Sequence, residues 1–147
     1  MPSKAHRGFT LIELISVLVL VGILSVTLFS RLGNVHGASV HASRDDLIAA
    51  LFFAQQQAMM RPGITLDISS NTISVNENGM PIKVSGDYYP LKMPSGVTLS
   101  PSTTFIYDKL GRSGREIPVD ITLTGSGNSS GVAAKIRVEA SGYAFAN

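Results

Sequence analysis

The chain has 147 residues, no cysteine, a hydrophobic fraction of 44% and a formal net charge of +2. That length suits one modest domain with an added segment, and the missing cysteines exclude a disulfide framework, thiolate chemistry and thiolate-bound metals. The small basic excess does not describe a nucleic-acid surface: Lys4, Arg7 and Arg31 flank one apolar stretch, and from residue 33 onward nine basic side chains balance nine acidic ones.

Residues 1–8 carry Lys4, His6 and Arg7. The run from Phe9 to Phe29 then contains a single charge, Glu13. At about 1.5 Å per helical residue, these roughly 21 positions cross about 30 Å of hydrocarbon, and a run apolar on every side is more than a core helix needs. The basic flank places the N-terminus in the cytoplasm and the remainder across the membrane. A secretory signal peptide and a simple signal anchor are the competing readings. Glu13 separates them. A carboxylate near the centre of a span costs on the order of 2.5–3.5 kcal/mol, less near the interface, and the span holds no cation to pair with it. A new chain terminus at Phe9 would supply an amine at nearly the right depth.

The segment Arg7-Gly8-Phe9-Thr10-Leu11-Ile12-Glu13 resembles the leader of type IV prepilins and type II secretion pseudopilins. The resemblance implies cleavage between Gly8 and Phe9 by a membrane-embedded prepilin peptidase and N-methylation of Phe9. Glu13 becomes the fifth mature residue and the assembly residue, pairing with the Phe9 amine of a neighbouring subunit. Leu14, Val17, Leu18 and Val21 become the transmembrane packing residues. The partners implied are the peptidase, other pilins or pseudopilins, and an inner-membrane assembly platform. The implied location is the bacterial inner membrane, single-pass with a periplasmic head, and then a filament.

Beyond the span, Gly33-Asn34-Val35-His36-Gly37 reads as a flexible or weakly helical joint. Val40, Leu47, Leu51, Ala54 and Ala58 fall on one helical stripe, with Ile48, Phe52 and Met59 as a second row beside it. Arg44, Asp45, Asp46, Gln55, Gln56 and Gln57 are the polar positions. Phe53 and Met60 lie away from the stripe and are expected at contacts with neighbouring subunits. Arg61-Pro62-Gly63 ends the helix. If the two helical stretches run on, they make one rod of about 80 Å.

The rest reads as β. Ile64–Ile68 and Thr72–Asn76 form a hairpin around Ser69-Ser70-Asn71. Pro81–Val84 can extend that sheet. Val97–Leu99, Thr104–Tyr107, Val119–Thr124, Ala134–Glu139 and Tyr143–Phe145 supply further strands. The expected core is Leu47, Leu51, Ile64, Leu66, Ile121, Leu123, Ile136 and Val138. The Leu47–Leu51 helix run, with Phe105-Ile106-Tyr107-Asp108-Lys109-Leu110-Gly111-Arg112 before two final strands, is similar to the GspH/FimT group of minor pilins and pseudopilins, and within it to minor subunits of MSHA-type pili.

The expected fold is therefore α+β: a long N-terminal helix, transmembrane in its first half and amphipathic in its second, packed on a C-terminal antiparallel β head. The divisions are residues 1–8 leader, 9–32 transmembrane helix, 33–61 linker and amphipathic helix, and 62–147 head. No enzyme and no cofactor are expected. Gly127-Asn128-Ser129-Ser130-Gly131 matches a nucleophile elbow, but no histidine follows His41 and a strand rather than a helix comes next. His36 and His41 have no third ligand near them in sequence, so no metal is expected. Lys109, Arg112 and Arg115 can make a weak phosphate or subunit contact, but Asp108 and Glu116 bracket them, so an ordinary turn is preferred and nucleic acid is not an expected partner. The expected function is a minor, MSHA-like type IV pilus subunit. A GspH-like secretion pseudopilin and a DNA-binding minor pilin stand as alternatives.

Overall fold

The computed structural model describes residues 10–32, 35–83, 89–127 and 130–147, with helical side chains described for 11–25 and 37–60. The chain divides into two compact units, Met1–Val35 and His36–Asn147.

The first unit is helix α1, Leu11–Leu32, 22 residues long. Its Ser16 and Ser25 hydroxyls are turned back onto its own carbonyls. Ser16 Oγ donates to Ile12 O at 2.8 Å and to Glu13 O at 3.0 Å, and Ser25 Oγ donates to Val21 O at 2.7 Å. Among the described side chains of α1, both serine donors are thus paired within the helix. Among the described residues, no helix is long and apolar enough to cross a membrane. The backbone of α1 has the length, but its described side chains end at Ser25, short of the roughly 20 residues a span requires.

The second unit begins with α2, Val35–Met60. Val35 to Gly37 are helical, one of the two forms expected of the joint; residues 33–34 lie outside the described residues. The stripe of Val40, Leu47, Leu51, Ala54 and Ala58 is buried as expected. Of the second row, Ile48 packs against the core while Phe52 and Met59 are exposed. At 100° per residue, Ser43, Ala50 and Gln57 border the stripe on one side, and Ile48, Phe52 and Met59 on the other. The core extends toward the small side chains Ser43 and Ala50 and takes Gln57 with it, so Gln57 is not a solvent-facing position. Phe52 is 57% exposed. Phe53, expected at a subunit contact, instead stacks on Tyr89 with ring centroids 5.8 Å apart and packs against the core. Met60 is exposed, as expected. The helix ends before Pro62, as the sequence requires.

Among the described residues, nine strands follow in two antiparallel sheets. The first sheet contains β1 (Ile64–Ile68), β2 (Thr72–Glu77), β3 (Met80–Pro81), β4 (Leu91–Lys92) and β6 (Thr103–Ile106). Its order is β3-β2-β1-β6, with β4 also paired to β2. The expected hairpin is present, Leu66 opposite Val75 and Ile68 opposite Ile73. Pro81 does extend the sheet, but through a two-residue strand; Val84 lies outside the described residues. The turn into β3 is Asn78-Gly79, both at positive φ, the dipeptide that fits the twist of a two-residue hairpin loop.

The second sheet is β5 (Val97–Ser100), β7 (Val119–Gly125), β8 (Ala133–Val138) and β9 (Ala144–Ala146), in the order β5-β7-β8-β9. Alternation sets its faces: Ile121 and Leu123 on β7, and Ile136 and Val138 on β8, point into the core. All eight expected core residues are fully buried, and one apolar cluster joins α2 to both sheets around Phe105. The fold is α+β.

Candidate functional site

Two parts of the chain carry candidate functional residues, and they lie in different units. In the first unit, Gly8 and Phe9 fall outside the described residues. The start of α1 is built by Thr10. Its Oγ1 accepts from the Glu13 N–H at 3.3 Å, and its carbonyl accepts from Glu13 and Leu14 at 3.1 and 3.2 Å. Thr10 is thus the N-cap and Glu13 the third helical residue, the Thr-x-x-Glu spacing of a capping box. That signal stands in the sequence, and sequence reasoning passed over it. The same geometry puts an acidic side chain in the first turn, where the partial positive charge of the helix end favours it.

Every large apolar side chain from Leu11 to Leu24 is between 46% and 75% exposed. Leu14, Val17, Leu18 and Val21, spaced i, i+3, i+4 and i+7, share one face, but the other faces are equally apolar. At roughly 1.5–3 kcal/mol per large aliphatic side chain, such a surface is strongly driven to be covered.

Residues 3–29 match the prokaryotic N-terminal methylation motif.

This motif is typical of type IV pilins and pseudopilins. It makes the N-terminus of the chain type IV pilin-like, and it implies processing by a prepilin peptidase and assembly with other pilins. No curated protein and no solved structure matches the chain.

The second candidate group is the basic loop after β6. The structure does not gather its three cations into one site. Arg112 is used locally: Asp108 Oδ2 accepts from its Nε at 2.6 Å, and Asp108 Oδ1 accepts from the N–H groups of Leu110 and Arg112, each at 2.9 Å. Arg115 turns the other way, donating to Thr103 Oγ1 at 2.6 Å and Thr104 O at 2.7 Å, with its guanidinium 5.7 Å from the Phe105 ring centroid. Lys109 is exposed. The loop is a closed polar turn, and two of its cations are spent on it. Between Arg112 and Gly114, the fully buried Ser113 donates to Glu139 O at 3.1 Å, tying the turn to the second sheet.

The Arg112 N–H, and then its guanidinium, hold the Asp108 carboxyl below the usual carboxylate value of 3.8. A carboxylate with a lowered folded pKa stabilises the fold above its unfolded pKa, and that contribution is lost as pH falls through the folded value. The window is therefore acidic, below about pH 4. Asp108→Asn is expected to flatten the acid side of a melting-temperature profile there, relative to the parent chain, and to leave the slope unchanged above about pH 5. Parallel acid limbs in thermal melts of the two proteins would show that Asp108 carries no folding-linked proton.

No group of three or more metal-ligating side chains occurs among the described residues. Asn128 and Ser129 of the elbow-like segment lie outside the described residues.

Proposed function

We propose that the chain is a non-enzymatic structural subunit of a type IV pilus, a minor one of the MSHA-like, GspH/FimT kind. In this reading it is cut between Gly8 and Phe9, N-methylated at Phe9, anchored in the inner membrane by residues 9–32 with its head in the periplasm, and then passed into a filament through the assembly platform. The observation that carries the reading is the pairing of the methylation motif over residues 3–29 with a helix whose large apolar side chains from Leu11 to Leu24 are all exposed. Lipid can cover that helix first, and the helices of neighbouring subunits afterwards. In its full sequence α1 continues through Val26, Leu28 and Phe29 before Arg31, which is the length a bilayer asks for. The exposed Phe52, Met59 and Met60 on α2 suit contacts between heads. The internal use of Arg112 and Arg115 supports a structural turn over a phosphate contact.

Glu13 is the assembly residue of this reading. In hydrocarbon an unpaired carboxylate is costly, and a neighbour's Phe9 amine neutralises it where screening by water is weak. Each incoming subunit then stops at the axial position that makes the pair, while Leu14, Val17, Leu18 and Val21 supply the bulk attraction. Glu13→Ala is expected to enter the membrane and be processed normally but to be missing from sheared filaments. Incorporation at the parent level, read by immunoblot against the membrane fraction, would remove Glu13 from this role.

A further inference from the structure

A peptide bond can be hydrolysed only when its carbonyl can be reached. At the bond between Gly8 and Phe9, water adds to the Gly8 carbonyl carbon and the bond to the Phe9 nitrogen breaks. A Gly8 carboxylate and a Phe9 amine are left. The carbonyl oxygen must accept from the peptidase as negative charge builds on it, and a carbonyl built into a helix ladder is withheld from that contact. The place where α1 starts therefore decides whether this bond can be presented.

Leu11 is the first residue of α1. Thr10 stops the helix there. Its Oγ1 accepts from the Glu13 N–H at 3.3 Å, and its carbonyl accepts from the Leu14 N–H at 3.2 Å, the bond with which the ladder opens. Phe9 has no side-chain acceptor with which to begin a helix. The next residue upstream of a type that caps well is Gly8, because glycine ranks beside threonine as an N-cap. A helix capped at Gly8 would have the Gly8 carbonyl accept from the Ile12 N–H, and that is the carbonyl to be cut. The two caps compete, and the Thr10 hydroxyl holds the start of α1 at Leu11.

We propose that Thr10 is a positioning residue for cleavage: its hydroxyl keeps the Gly8 carbonyl out of α1 and so available to the prepilin peptidase. This role rests on the cut between Gly8 and Phe9 described above. Thr10 acts through the helix and needs no contact with the peptidase. Capping is the property that counts, so residues of different shape that cap equally well are interchangeable there. A residue of the same shape that does not cap cannot replace them.

Pulse-chase of the full chain in cells holding the peptidase tests this. Thr10→Val keeps the shape of threonine and removes the acceptor. Loss of the cap is expected to slow maturation about fivefold, with the full-length chain in the membrane at the parent level when the chase begins. Thr10→Ser and Thr10→Asn both cap well and should mature at the parent rate. In uncut chains held in detergent micelles, Thr10→Val should also slow amide exchange at Ile12, where the new bond to Gly8 forms. Maturation of Thr10→Val at the parent rate overturns the role of Thr10. So does Thr10→Asn as slow as Thr10→Val, which would mean that the peptidase reads the threonine itself, and so does unchanged exchange at Ile12. N-terminal sequencing of the parent's mature band separates this role from the cleavage reading beneath it. A start other than Phe9 removes both, whereas a start at Phe9 with any of those three results removes the role of Thr10 alone.

Discussion

Gly142→Ala is expected to be the most destabilising single-methyl change in the head. Gly142 sits at φ +87°, where any side chain costs about 1–2 kcal/mol of left-handed strain. Space is the larger problem. A Cβ there would overlap Gly111 O and reach 2.8 Å from Gln55 Nε2. That amide is a clasp: it donates to Gly111 O at 3.0 Å and to Ser141 O at 3.2 Å, holding α2, the loop after β6 and the turn before β9 at one point. Overpacking of this kind adds about 1–3 kcal/mol, and each of the two lost hydrogen bonds about 0.5–1.5, so the total is about 3–8 kcal/mol. For a domain near 110 residues this lowers the melting temperature by roughly 10–30 °C. Gly79→Ala is the matched comparison. It has nearly the same φ, +83°, with nothing within 4 Å of the added carbon, so it isolates the strain. Equal thermal shifts for the two variants would show that the Gln55 clasp is not rigid.

Gly8→Val is expected to have the other large effect, on processing. In the proposed pathway the scissile bond follows Gly8, and a β-branched side chain at that position should leave the chain uncut in the membrane, with mature protein reduced to background. The helix beyond it explains why the cut matters. Cleavage removes the Lys4 and Arg7 flank and creates an amine just before Thr10 and the N-terminal end of α1. There the helix dipole already presents positive charge, and Glu13, in the first turn that the Thr10 cap begins, is the acidic residue placed to offset it. An accumulating full-length band for Gly8→Val, beside a shorter band for the parent, is the expected immunoblot. Normal maturation of the variant would place the cut elsewhere.

Much of the head was legible because alternation and burial agree. Ile121, Leu123, Ile136 and Val138 alternate with polar neighbours, and all four are buried. The hairpin of Ile64–Ile68 with Thr72–Glu77 was readable for the same reason. What was missed depends on three-dimensional neighbours. Strand β4 is two residues between prolines, too short to show a period. The core-facing stripe of α2 was readable from its period, but nothing in the sequence showed that the core would widen toward Ser43 and Ala50, whose small side chains are buried beside it. Gln55 gives no hint in sequence of the two loops it clasps, which lie 56 and 86 residues away. Arg112 and Arg115 are three apart and share a sign, yet the loop sends them to different acceptors. By contrast, Asn78-Gly79 and Thr10-x-x-Glu13 were both available as local signals. The N-terminal motif was legible because it is a linear string of residue types, and the matched methylation motif falls on that stretch, residues 3–29.

The most direct test of the account is the N-terminus of the chain in assembled filaments. Sheared filaments would be digested and the terminal peptide sequenced by tandem mass spectrometry. The account predicts a chain that begins at Phe9 and carries a methyl group on its α-amine. A chain in the same filaments that still begins at Met1, or that begins at Phe9 with an unmodified amine, would contradict it.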